Sequence, residues 1–157
     1  MEEKVPSFFR FEDLRVYAKA VDYNKWLVSA MREPAVETQR SLCKAFTASA
    51  MDIAVNIAEG SSRNKSQFDH YLKIAKTAIR ECIVYTAIAN GSGLLNDEES
   101  EYSRSMLMEQ TRMIGALIIS LQRGTRRYEA SGDDAPYHDD NDSFGDNEME
   151  GEEIRED

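Results

Sequence analysis

Apolar residues recur at steps of three, four and seven along four stretches of this 157-residue chain, and no stretch of strand length alternates with period two. Steps of that size put side chains on one side of a helix, where a neighbour must cover them; alternation is what a half-buried strand needs. The pattern therefore excludes sheet-based folds and predicts an all-α architecture. Breakers separate the stretches. Pro34 closes the first, because proline donates no amide hydrogen and disfavours helix in the residue before it. Gly60 is placed to close the second in the left-handed conformation. Asn90-Gly91-Ser92-Gly93 closes the third.

The first segment runs from Asp13 to Met31, with Leu14, Tyr17, Val21, Val28 and Met31 as its stripe and Trp26 and Leu27 beside it. The second runs from Glu37 to Glu59 on Leu42, Ala45, Phe46, Ser49, Ile53, Asn56 and Ile57, an alanine-rich face that lets a neighbour come close. Ser66 is the predicted cap of the third, with Asp69 three residues on as a variant of the capping box. Its stripe is Phe68, Tyr71, Leu72, Ala75, Ile79, Cys82, Ile83 and Thr86. Asn96 opens the fourth, with Asp97, Glu98 and Glu99 at the positive end of the helix dipole. Tyr102, Met106, Met113, Ile114, Leu117, Ile118 and Leu121 follow, and the segment ends near Tyr128. Short connections make consecutive helices antiparallel, so the prediction is an up-and-down four-helix bundle.

Charge divides the chain. Residues 1–128 carry 18 Lys+Arg against 16 Asp+Glu, a net of +2, whereas residues 129–157 carry Arg155 against 13 acids, a net of −12. The formal charge of −10 thus belongs to the last segment, which is too poor in apolar residues to offset the entropy of ordering it and is expected to be disordered. The organisation is an N-terminal arm over 1–10, a bundle over 11–128 and an acidic tail over 129–157. Phe8, Phe9 and Phe11 are expected to be covered rather than left in water.

No run of apolar residues reaches membrane-spanning length, and the acidic start, Met-Glu-Glu-Lys-Val-Pro, does not read as a signal peptide. Two cysteines, Cys43 and Cys82, have neither metal-ligand spacing nor the density of a disulfide framework. A cytoplasmic protein is the expectation. Catalytic constellations are missing as well. The histidines are His70 and His138, neither in a readable pairing with a carboxylate or thiol, and no glycine loop could cradle phosphate. Glu59 and Glu81 could face each other across helices, but a di-metal bundle uses Glu-x-x-His pairs, which do not occur. Neither an enzyme, a metal nor a cofactor is expected.

Phe11-Glu-Asp-Leu-Arg-Val-Tyr17 at the first helix and Asn56-Ile-Ala-Glu-Gly60 at the end of the second are followed by Ser61, Ser62, Arg63, Ser66, Phe68, Leu72, Ile74, Ala75 and Glu81. Over about residues 8–125 this pattern resembles the bacterial four-helix-bundle family encoded by intervening sequences in 23S ribosomal RNA genes. The resemblance implies a ring-shaped homo-oligomer, a pentamer, without known catalysis. Trp26, Phe46, Tyr85 and the arm phenylalanines add to this, being more large apolar residues than a small bundle needs inside. The resemblance also implies kinship with the accessory variability protein of diversity-generating retroelements, which binds a reverse transcriptase and nucleic acid. The family usually has Ser-Ile-Pro-Ser before the asparagine; here Asp52-Ile53-Ala54-Val55 stands there, so the second helix should run straighter.

Two groups of residues are candidates for function. Asn56, Glu59 and Gly60 form a polar corner, read either as a binding site or as groups that bond loop amides and fix the turn. Lys73, Lys76 and Arg80 share a face of the third helix, with Arg63 and Lys65 just before it, and Arg123, Arg126 and Arg127 crowd the end of the fourth. Such cations suit RNA or DNA phosphates without any base-reading motif, and they equally suit a solvated face and a favourable helix end. The tail could fold back on them, keep the protein soluble, or dock a basic partner. The favoured function is a non-enzymatic oligomeric scaffold for nucleic acid or for an enzyme such as a reverse transcriptase. The alternative is a protein-only adaptor that uses its acidic tail.

Overall fold

The computed structural model describes residues 3–131, with side chains described through Gly124. One 3-10 turn, Arg10–Asp13, precedes four helices: α1 (Arg15–Ala30), α2 (Glu37–Ser61), α3 (Lys65–Gly91) and α4 (Asp97–Ser131). Cross-helix pairs fix the topology. Asn24 meets the Ala50 carbonyl, Ser49 meets Glu81, Thr86 meets Ser103, and Lys19 meets Glu109. Each helix thus runs antiparallel to its neighbours, and the protein is an up-and-down four-helix bundle. Among the described residues there is no strand. The acidic segment beyond Ser131 lies outside the described residues.

Most of the stripes foreseen for α2 and α3 is buried, with Phe46, Ser49, Ile53 and Ile57 facing Leu72, Ala75, Ile79, Cys82 and Thr86, whereas Leu42, Ala45, Asn56, Phe68, Tyr71 and Ile83 are only half-buried. On α1 the buried line is instead Val16, Ala20, Tyr23 and Leu27, and Val28 is exposed. The helix carries two adjacent apolar lines, and periodicity alone does not choose between them. A polar chain decides. Tyr23 reaches Ser103 at 2.8 Å, Ser103 reaches Thr86 at 2.8 Å, and Thr86 donates to the Cys82 carbonyl at 2.7 Å. Every hydroxyl in this chain across α1, α4 and α3 is satisfied, which makes its burial tolerable. It also explains why Ser103 replaces Tyr102 on the inner face of α4, with Leu107, Gln110, Ile114 and Ile118 below it.

Helix ends were only partly legible. Asn96 Oδ1 accepts from the Glu99 amide at 2.8 Å and Glu99 Oε1 accepts from the Asn96 amide at 3.2 Å, a complete capping box. The cap of α3, however, is Asn64, which accepts from the Gln67 amide at 2.9 Å, and Ser66 lies inside the helix. Asp69 makes no cap and pairs with Lys73. Before α1, Leu14 is extended, so the helix starts at Arg15 rather than Asp13; Asp13 instead accepts the Ser7 amide and tethers the arm. α4 continues past Tyr128 through Ser131, the last described residue, and Glu129 and Ala130 are good helix formers.

Gly60 does not take the left-handed conformation; among the described residues only Gly93 does. It is buried within α2, where a Cβ would fall 2.6 Å from Tyr71 Cβ and 2.9 Å from a Phe68 ring carbon. Its role is close approach of α2 to α3. Ala54 sits in an uninterrupted α2.

This contact makes opposite predictions for two glycines. Gly60→Ala should lower stability by about 1–3 kcal/mol by overpacking. Gly115→Ala, in α4 with nothing within 4 Å of its Cβ position, should raise it by about 0.5–1 kcal/mol. Urea unfolding followed by circular dichroism measures both.

Candidate functional site

The antiparallel order gathers the ends of α2 and α4 and the starts of α1 and α3 at one pole of the bundle. Arg63 lies in the α2–α3 turn, its guanidinium 2.8 Å from Glu59 and 5.4 Å from the centre of the Tyr71 ring. Lys65 opens α3 and lies along α4; a Cβ on Gly124 would come within 2.9 Å of its ammonium. Glycine at that position leaves room for the lysine, and Arg123 is its exposed neighbour in sequence. Further along α3, Lys73 pairs with Asp69 at 3.0 Å, and Arg80 leans on the Thr77 hydroxyl at 3.1 Å. Helical geometry puts Lys65, Lys73, Lys76 and Arg80 within one arc of α3, on its α4 side and outward.

Among the described residues no carboxylate pairs with Lys65, Lys76, Arg80 or Arg123. Arg112, eleven positions before Arg123 on α4, adds an exposed cation outside the clusters expected from the sequence. Eleven is nearly three whole turns, a spacing that could have flagged it. Arg126 and Arg127 continue α4, but their side chains lie outside the described residues. The opposite pole is acidic: Asp97, Glu98 and Glu99 start α4 there, and Glu99 holds Arg32.

The polar corner is arranged differently from expectation. Asn56 donates to the Asp52 carbonyl of its own helix at 2.8 Å, and Glu59 holds Arg63. Neither side chain bonds a loop amide among the hydrogen bonds described; the turn is closed by the Ser62 and Arg63 amides on the Glu59 and Gly60 carbonyls. Glu59 also borders an open groove of ≈ 340 Å³ between α1 and α2, lined by Phe11, Tyr17, Ala54, Val55, Ala58 and Ser62.

Two arm phenylalanines are left uncovered by their own chain. Phe8 is 93% exposed and Phe9 is 55% exposed, although they touch each other edge-on at 5.1 Å. Phe11 alone packs inward, on Tyr17 at 5.0 Å. Val28, Met51 and Val55 are exposed along the same α1–α2 side. Conversely, Trp26, Phe46 and Tyr85, expected to exceed what a small bundle needs, are used by it. Phe46 is fully buried against Tyr85, and Trp26 lies between Tyr23 and Tyr102.

The model of the 23S rRNA-intervening sequence protein family matches residues 12–116. The chain belongs to that family. No curated protein matches it. The matched span contains Arg63, Lys65, Lys73, Lys76, Arg80 and Arg112 and the whole polar corner; Arg123 and the arm fall outside it.

The interior offers little chemistry. Among the described residues no three of His, Cys, Asp and Glu come together as metal ligands, and no helix is long and apolar enough to cross a membrane. Gln110 is buried with neither amide atom bonded to the protein, and one Asp69 oxygen is likewise without a partner. Burial raises the Tyr23 hydroxyl well above its ordinary range. Burial first, then the Glu81 and Asp52 charges, pushes the Cys82 thiol from 9.0 up to about 12.

A raised thiol pKa favours the protonated, folded form. Its stabilising effect is full below pH 9 and is lost as the unfolded thiol ionises between 9 and about 12. Cys82→Ala should therefore flatten the fall in stability over that window. In native protein Cys43, half-buried, should react with a thiol reagent while Cys82 reacts only on unfolding; mass spectrometry of labelled peptides checks this.

Proposed function

We propose that this protein is a non-enzymatic, homo-oligomeric scaffold that binds nucleic acid, RNA above all, through the α3–α4 side of the bundle. The observation that carries the reading is the set of cations without acidic partners on one arc of α3, Lys65, Lys76 and Arg80, with Arg123 beside Lys65 at the end of α4 and Arg112 on the outer face of α4. Cations at helical intervals meet phosphates along a strand, which fixes position without reading sequence. Lys73, held by Asp69, and Arg63, held by Glu59, contribute after exchanging partners. Arg126 and Arg127 extend the row by their place in the sequence. The family's description as 23S rRNA-intervening sequence proteins is compatible with an RNA ligand.

Self-association is the second part of the proposal, as a ring of five with the exposed apolar side of α1–α2 and the arm at its interfaces. Phe8, Val28, Met51 and Val55 are exposed apolar residues on that side that a second subunit would cover. Repetition around a ring multiplies a modest basic surface on each subunit. A reverse transcriptase, itself bound to nucleic acid, is the proposed enzyme partner. The polar corner serves the architecture in this reading, with Glu59 holding Arg63 and Gly60 admitting Tyr71.

Binding to a mixed-sequence single-stranded RNA should weaken linearly in log–log salt titrations, with a slope of about −0.7 per phosphate neutralised. Lys65→Glu with Lys76→Glu should reduce the slope by about 1.4, about 0.7 per lysine. No binding at about 50 mM salt, or an unchanged slope in the variant, contradicts the reading. Light scattering should give a multiple of the 17.8 kDa chain mass; the mass of one chain overturns the ring.

A further inference from the structure

We infer that residues 132–157 dock on the α3–α4 cations of their own bundle and compete there with nucleic acid. This rests on the proposal that those cations are the phosphate surface. Three observations point to this occupant. Residues 132–157 carry twelve acids against Arg155, a net of −11. They leave the bundle from the end of α4, at the pole where Lys65 lies against Gly124. Lys65, Lys76 and Arg80 have no acidic partner among the described residues; the same holds for Arg15, Lys25 and Lys44 elsewhere, so the exit point of the tail is what selects the α3–α4 cations.

Reach is sufficient. Gly124 is seven residues before Ser131, about 10 Å of helix, and Arg80 lies fifteen residues beyond Lys65, about 22 Å along α3. Ser131 is thus about 32 Å from the level of Arg80, and 26 residues reach at most about 85–90 Å when fully extended. One tail is therefore long enough to pass along the row of cations. A tether of this length holds the acids at an effective concentration near the millimolar range, so weak contacts suffice. The specificity required is low: carboxylates need only opposite charge along a line, as phosphates do, and the contact is screened by salt. The tail is thus a built-in competitor, strongest where the RNA contact is also strongest and displaced by a ligand with denser charge.

The test uses the full chain and a full-length variant whose Asp and Glu residues in 132–157 are changed to Asn and Gln. Lysine acetylation footprinting gives the first readout, with exposed Lys44 on α2 as internal reference. In low salt Lys65 and Lys76 should be modified several-fold more slowly, relative to Lys44, in the natural chain than in the neutralised one. The difference should vanish at about 0.5 M salt. Equal ratios in the two chains overturn docking. Affinity for a mixed-sequence single-stranded RNA is the second readout: the neutralised chain should bind about tenfold tighter or more at low salt. Equal affinities overturn competition. If neither chain binds RNA, the nucleic-acid reading and with it the competition are overturned, while the footprint still decides docking.

Discussion

The helices α2 and α3 meet at Gly60, which puts no side chain of its own between them, and much else depends on that contact. Tyr71 and Phe68 fill the space where a Cβ would stand. A tight meeting lets the turn be short, from Ser62 to Asn64, with Asn64 capping α3 at once. Lys65 is then the first residue of α3 and is delivered to the side of α4, where Gly124 again leaves room. Two glycines at one pole thus set where the cations of α3 and α4 come together. The hydrophobic core holds the bundle, but the corner decides which charged residues become neighbours.

The core has its own specifying element. Tyr23, Ser103 and Thr86 form a buried hydrogen-bonded chain that ties α1 to α4 and α4 to α3 at one level. Apolar contacts alone would tolerate a shift or rotation of α1; a buried hydroxyl left without a partner would not. The rotation that this chain selects turns Val28 outward, where it joins Met51 and Val55 on an uncovered side. Satisfying a polar group inside therefore helps to create the apolar surface outside.

The number of helices, their connections and the buried faces of α2 and α3 were legible in the sequence, because each of those faces has one apolar line flanked by polar residues. α1 was not, since it has two adjacent lines and the choice lies with Ser103, eighty residues away. Nor could the sequence separate Asn64 from Ser66 as a cap, since both residue types accept the same bond. Gly60 looked like a terminator because glycine serves both the left-handed turn and close approach, and only the position of Tyr71 distinguishes them. The basic residues were legible one by one. Their lack of acidic partners was not, because Asp69 and Glu59 occupy Lys73 and Arg63 and leave Lys65 and Lys76 open. Phe8 and Phe9 were expected to be covered; the turn at Arg10–Asp13 and the Asp13 tether hold them off their own bundle.

Charge separation gives these features a functional sense. A bundle of net charge +2 over residues 1–128 can present a basic side to phosphates, although the whole chain is at −10. Mapping the contact directly is the most decisive measurement: ultraviolet crosslinking of the full-length protein to single-stranded RNA at low salt, with the crosslinked peptides identified by mass spectrometry. Crosslinks confined to the α3 peptides around Lys65–Arg80 and to the α4 peptides around Arg112 and Arg123 are the predicted result. Crosslinks on the acidic pole or the α1–α2 side, or none at all, would contradict it.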